Sequence, residues 1–229
     1  MSLLPFLRDR LMAEWRCKLW LTLILNLLVC VPYYYLQHNH FFPATVMRPT
    51  VLDSAIPFAP EAVWFYLSIY LFMPIAPLLS ADRRQLVKYG IGMATLALVA
   101  SIVFVFWPTW CERPPMAKPN LAYQLLTAAD NPYHAFPSLH AAFTVFSLLC
   151  ALRLASELRF SVSWKALLMF WAGLILWGTL ATKQHVLFDL AGGSLLAIVV
   201  YFITVRKVAS PVSICSNPVF GAGSTNQQL

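Results

Sequence analysis

Six apolar runs alternate with polar intervals along the chain. They cover about Leu19–Leu36, Ala62–Ser80, Lys88–Trp107, Ser138–Ala155, Trp164–Ala181 and Val186–Val205. Each has roughly the twenty residues that a helix needs to cross a bilayer. The apolar residues come in blocks and not in a one-sided helical stripe, which predicts membrane spans in place of soluble amphipathic helices. The expected architecture is all-α, a polytopic six-transmembrane-helix bundle over 19–205. No polar linker is long enough to split it in two. Pro74 and Pro77 predict a kinked second span. Ahead of the bundle, residues 1–18 set Arg8, Arg10, Arg16 and Lys18 among Leu, Phe and Trp, an amphipathic segment for the cytoplasmic membrane surface. Behind it, 206–229 is rich in Ser, Gly and Asn and reads as a flexible cytoplasmic tail.

Composition strengthens this picture. The 229 residues are 60% hydrophobic and only 11% charged, against about 25% charged in a soluble domain. The net charge of +7 does not imply a nucleic-acid partner, because the basic residues are spread along the chain and gather at span ends. With a cytoplasmic N-terminus, Arg48, Arg113, Lys118 and Lys183 fall on the outer side, and the remaining twelve of the 16 Lys and Arg fall inside. That bias orients the protein. Both termini are expected in the cytoplasm, with intervals 38–61, 108–137 and 182–184 outside, in a cell membrane of the bacterial inner-membrane kind. The N-terminus lacks a small-residue cleavage site and reads as uncleaved. The five cysteines are odd in number and lack a CxxC, so neither a disulfide framework nor a zinc site is indicated. His38-Asn39-His40 has no acidic third ligand nearby, and no metal or other cofactor is expected.

Chemistry-bearing residues concentrate at the outer ends of spans four and six. Ser138 follows a proline and precedes an apolar run, so it reads as an N-cap, with His140 in the first helical turn. Unpaired N–H groups, a hydroxyl and an imidazole there suit an anion. His185 and Asp189 are spaced i, i+4, which predicts one helix face. A carboxylate in an apolar run needs a partner, and Asp189 can hold the imidazole by Nδ1 and leave Nε2 free. A purely structural pair tying a helix end would use the same spacing. Topology puts His140 level with His185, and two histidines with a carboxylate at one surface point to catalysis. Arg113 and Lys183, beside these stretches, suit phosphate oxygens, although headgroup contact would use them equally well. Lys118 reads as a headgroup contact, His134 and Asp130 as headgroup contacts or equally well as solvated loop residues, and Asp53 as the cap of a short interfacial helix. Gly192-Gly193 reads as close helix packing.

FPSLH followed by KQHVLFDLAGG resembles the type 2 phosphatidic acid phosphatase superfamily. Pro137-Ser138-Leu139-His140 matches its second motif. His185 and Asp189 keep the separation of its third, and Arg113-Pro114 stands where its first motif has Arg-Pro. Three departures are visible: Leu139 in place of glycine, Gly178-Thr179 in place of Ser-Arg, and Phe106 where the first motif's lysine would stand. They resemble the inositol phosphorylceramide synthase-like, or inositolphosphotransferase, branch. The resemblance implies a metal-independent lipid phosphatase or phosphotransferase with a phosphohistidine intermediate. By it, His185 attacks phosphorus, Asp189 orients it and His140 protonates the leaving group. Ser138, the Leu139 N–H, Arg113 and Lys183 would bind the phosphate, with Lys183 replacing the missing arginine. The implied partners are a lipid phosphate or phosphodiester substrate and, for transfer, a lipid alcohol acceptor. A proton-coupled transporter using the same His and Asp residues is the alternative from another class. It fits less well, because the residues lie at one surface and no inverted repeat is visible.

Overall fold

In the computed structural model, residues 3–39, 41–115 and 120–206 are described. His40, Lys118 and the tail beyond Arg206 lie outside them. Among the described residues six helical stretches are long and apolar enough to cross a membrane: Trp15–His38, Pro60–Leu79, Arg83–Phe106, Leu139–Glu157, Val162–Ala181 and Leu187–Arg206. A short helix α1 (Leu3–Met12) precedes α2 (Trp15–His38). Arg16 and Lys18 therefore belong to the first long helix. Lys18 is buried there, and its Nζ donates to the carbonyls of Arg10 and Leu78 at 2.5 and 3.0 Å, tying α1 to the end of the second span.

The second span is broken, as its prolines predict. It runs through α4 (Val63–Leu67), α5 (Ile69–Phe72) and α6 (Ile75–Leu79). Pro77 has no N–H to give to the carbonyl of Met73 four residues back. The buried Tyr89 hydroxyl, from α7 (Arg83–Phe106), donates to that carbonyl at 2.9 Å and also meets Ser147 Oγ at 2.9 Å. A phenylalanine at 89 would orphan the carbonyl inside the membrane. Tyr89→Phe is expected to cost about 1 kcal/mol, seen as an apparent melting temperature about 2–4 °C lower in detergent.

The bundle is centred on α9 (Leu139–Glu157), which touches α5, α6, α7, α10 (Val162–Ala181) and α11 (Leu187–Tyr201). Lipid removes the hydrophobic drive between helices, so small residues that admit close packing must supply the contact. The interior follows that rule: Ala97, Ala142, Ala172 and Ala197 surround the rings of Phe72 and Phe146. Leu27, Leu98, Phe170 and Leu195 point outward, where lipid tails would cover them.

At one end the connections are structured. Strand β1 (Thr45–Met47) pairs in parallel with β2 (Thr109–Cys111), in the register Thr45 to Thr109. Helix α3 (Val51–Ala55) follows β1, and a nine-residue helix α8 (Leu121–Ala129) lies in the 108–137 interval, where the hydropathy pattern shows no helix. It is capped by Asn120, whose Oδ1 accepts from Tyr123 N–H at 3.0 Å, and it exposes Leu121 and Leu125.

Candidate active site

The starts of α9 and α11 meet at this structured end. Ser138 caps α9 as expected: it is fully buried, and its Oγ accepts from the Ala141 N–H at 3.2 Å. The Ser138 N–H donates to the Asp189 carbonyl at 3.1 Å, joining the two motifs through the backbone. A Cβ on Gly193 would run into the Ser138 carbonyl, so this glycine is what lets α11 lie against the cap of α9. The close-packing reading of Gly192-Gly193 holds, since a Cβ on Gly192 would meet the Phe136 ring.

His185 and Asp189 do come together, but not across one helix face. His185 lies in a bend before α11, Val186 is the N-cap, and Asp189 is the third helical residue. The physical reason is capping. Asp189 Oδ2 turns back to accept the Val186 N–H at 3.0 Å, which leaves His185 ahead of the first turn with Nδ1 at 3.6 Å from the same oxygen. That separation is too long for a hydrogen bond. It does present Nδ1 to the carboxylate, as expected. Asp189 is fully buried, and its Oδ1 has no hydrogen-bond partner in the structure.

His140 sits in the first turn of α9, whose cap Ser138 is bonded to Asp189 in the first turn of α11. Its ring stacks on Tyr66 with centroids 3.9 Å apart and planes 18° from parallel. Its Nε2 lies 2.9 Å from the Tyr66 carbonyl oxygen. A carbonyl only accepts, so Nε2 carries the hydrogen and Nδ1 is the nitrogen left for proton transfer. The Tyr66 carbonyl also accepts a backbone N–H where α4 ends, so His140 takes the second lone pair of an oxygen in the last helical turn.

Leu139 packs its side chain against the cluster of Leu36, Ala100 and Phe104. Arg113 is held by Asp130: Nη1 donates to the Asp130 carbonyl at 2.6 Å and Nη2 is 3.5 Å from Oδ2, while Nε is buried without a partner. Asp130 is not a solvated loop residue. Its Oδ1 also accepts from Tyr33 Oη and Gln37 Nε2, at 2.8 and 2.6 Å. His134 is buried against the Phe104 ring. Lys183, at φ 54°, points Nζ at the carbonyls of Asp53 and Ile56, at 2.7 and 2.6 Å. That leaves one of its three N–H bonds for a ligand. Gly178 and Thr179 are sealed in the contact between α10 and α4, where a Cβ on Gly178 would meet the Tyr66 N–H and the fully buried Thr179 hydroxyl bonds within its own helix. An arginine side chain has no room at 179.

Asp53 does help cap a short helix. Thr50 is the N-cap of α3, and Asp53 Oδ2 accepts from the Thr50 N–H and Oγ1 at 2.7 and 2.6 Å. Its Oδ1 reaches further, accepting the Leu187 N–H at 2.7 Å. Burial raises the pKa of this carboxyl, but the bonds from Thr50, the Leu187 N–H and the nearby Lys183 ammonium outweigh it and hold the group below its ordinary value of 3.8. It is therefore ionised throughout the neutral range. Cys111 Sγ donates to the Lys183 carbonyl at 3.8 Å. Burial, with Asp189 and Asp53 adding to it against Arg113 and Lys183, pushes this thiol up to about 12, so it remains an S–H donor.

The family model described as the PAP2 superfamily matches residues 85–211, more than half of the sequence. The chain belongs to the PAP2 superfamily. No curated protein and no solved structure gives a significant match. As a PAP2 protein with six apolar helices, it is an integral membrane member of a superfamily of phosphatases and phosphotransferases. The PAP2 match takes in Arg113, Ser138, His140, His185 and Asp189 but begins after Tyr33, Asp53 and Tyr66. Those three, which hold Asp130, the start of α11 and His140, carry no motif of their own. The one readable signal among them is Thr50-x-x-Asp53, a capping-box spacing.

Proposed function

We propose that this PAP2 protein is a lipid phosphatase or phosphotransferase that works through a phosphohistidine on His185. The observation that carries the reading is the backbone bond from Ser138 to Asp189. It fastens the cap of α9 to the main chain of the residue whose carboxylate faces His185. In this reading Asp189 keeps the proton on Nδ1 of His185, and Nε2 attacks phosphorus as the P–O bond to the leaving group breaks. His140 enters the step as an imidazolium, with Nε2–H kept on the Tyr66 carbonyl, and gives its Nδ1 proton to that leaving oxygen. The bare Nδ1 then takes a proton from the water or alcohol that attacks phosphorus as the P–N bond breaks. The Ser138 hydroxyl, the Leu139 N–H, the Arg113 guanidinium and the remaining Lys183 N–H would stabilise the equatorial oxygens. The site end faces outward, both termini are cytoplasmic, and the substrate is a lipid phosphate, diphosphate or phosphodiester.

Pro137-Ser138-Leu139-His140 with its compact His-x-x-x-Asp favours transfer to a lipid alcohol, as in the inositol phosphorylceramide synthase-like branch. The test uses purified protein in lipid nanodiscs with labelled lipid phosphates, diphosphates and phosphodiesters. Phosphate release should survive EDTA. A brief quench should trap label on protein that is acid-labile and base-stable, as a P–N bond requires. Adding a lipid alcohol should divert label from the water-soluble product to a new lipid if transfer dominates, a phosphomonoester from a lipid phosphate and a phosphodiester from a phosphodiester donor. Release that needs a divalent metal, or the lack of a trapped label under burst conditions, would overturn the reading.

A further inference from the structure

Asp53 has one carboxylate oxygen more than its helix needs. The capping box of α3 uses Oδ2 alone, satisfied by Thr50. Oδ1 is committed to Leu187, 134 positions away in sequence and two residues past His185. On the near side of His185, Lys183 returns the contact, since its ammonium takes the carbonyls of Asp53 itself and of Ile56. The stretch that carries His185 is thus gripped at 183 and at 187 by one short segment from the other outer interval. Helix geometry does not hold this stretch, because α10 ends at Ala181 and α11 begins at Leu187. Lys183 also sits in the left-handed region that a side chain with a Cβ seldom adopts, so its surroundings must hold it there.

We infer that Asp53 is a positioning residue for His185: bonded to Leu187 and Lys183, it braces the bend between α10 and α11 and fixes where the imidazole stands. The inference rests on the proposed role of His185 as nucleophile. Asp189 sets the rotation of the ring from within α11, and Asp53 sets the place of the backbone beneath it. Phosphoryl transfer depends on in-line placement, so a shift of this bend acts on the chemical step more than on lipid binding.

The experiment compares Asp53→Ala, Asp53→Asn and Thr50→Val in full-length protein in nanodiscs. Asp53→Ala removes all three carboxylate bonds, two from Thr50 and one from Leu187. Asp53→Asn keeps an oxygen for Leu187. Thr50→Val removes the side-chain cap of α3 but leaves the Leu187 bond in place. Asp53→Ala is expected to lower kcat about 10–100-fold with KM little changed, and to speed amide exchange at Leu187. Asp53→Asn should recover part of the rate, and Thr50→Val should keep both the rate and the exchange protection. Equal kcat in Asp53→Ala and wild type, or an equal loss in Thr50→Val, overturns the brace. If Asp53→Ala does not fold, the Asn and Val variants decide the matter by the same comparison. Should the wild type release no phosphate from any lipid, the catalytic reading falls. Leu187 exchange and the ring nitrogen shifts of His185 then still report whether Asp53 sets this bend.

Discussion

His185→Ala is expected to lower kcat by about four to six orders of magnitude while the protein keeps its fold. Removing the nucleophile of a coupled catalytic set costs about as much as removing the whole set, and what survives is the rate from binding and oxyanion stabilisation alone. The variant should stay folded because the His185 side chain precedes α11 and makes one contact at ion-pair distance, to Asp189. Asp189→Asn is the graded companion. An asparagine oxygen can still accept the Val186 N–H now held by Oδ2 at 3.0 Å, so the helix cap persists. The amide no longer fixes the proton on Nδ1, and an asparagine in that role elsewhere costs about 10⁴ in kcat. Steady-state phosphate release, with melting curves alongside, measures both. Retention of more than a small percentage of wild-type turnover in His185→Ala would remove His185 from the reaction.

Gly193→Ala is expected to be the most damaging single methyl in the molecule. Its new Cβ would meet the carbonyl carbon and oxygen of Ser138 and the Ala142 N–H. All three are backbone atoms in the first turn of α9 and cannot swing aside. Helix α11 would have to retreat, at a cost near or above the upper end of the usual overpacking range, about 3 kcal/mol. The apparent melting temperature should fall by about 6–12 °C. Activity should fall further than stability alone explains, because the retreat pulls Asp189 away from the Ser138 N–H. Gly192→Ala is the control. Its Cβ meets only the Phe136 ring, a side chain that can rotate, and alanine gains about 1 kcal/mol of helix preference. A near-neutral Gly192→Ala beside a crippled Gly193→Ala supports backbone contact as the cause, and equal melting temperatures would refute it.

The spans were legible because a bilayer imposes a length and an apolar composition that nothing else in the chain imitates. Ser138 was legible because a buried cap leaves a Pro-Ser signature ahead of an apolar run. The arrangement of His185 and Asp189 was misread for a specific reason. The i, i+4 spacing is shared by a helical face and by a capping aspartate that reaches back over its own N-terminus, and only the position of the first helical residue tells them apart. Helix α8 was missed because nine residues between prolines give too short a periodic signal beside six long spans. The hold of Asp130 on Arg113 was not legible, because Asp130 stands seventeen positions later in a loop. That Asp130 is held in turn by Tyr33 and Gln37 is a contact across the bundle, and no local pattern encodes it.

The anchor of His140 is a main-chain oxygen, that of Tyr66. Any residue at 66 would offer the same acceptor, so an alanine scan would pass over it: Tyr66→Ala would strip away the stacked ring and leave the bond to Nε2. Replacing the peptide bond after Tyr66 with an ester, which weakens that oxygen as an acceptor, is the change that reaches it. The histidine proposed here for acid–base work is thus tied to a part of the chain that point substitution cannot edit.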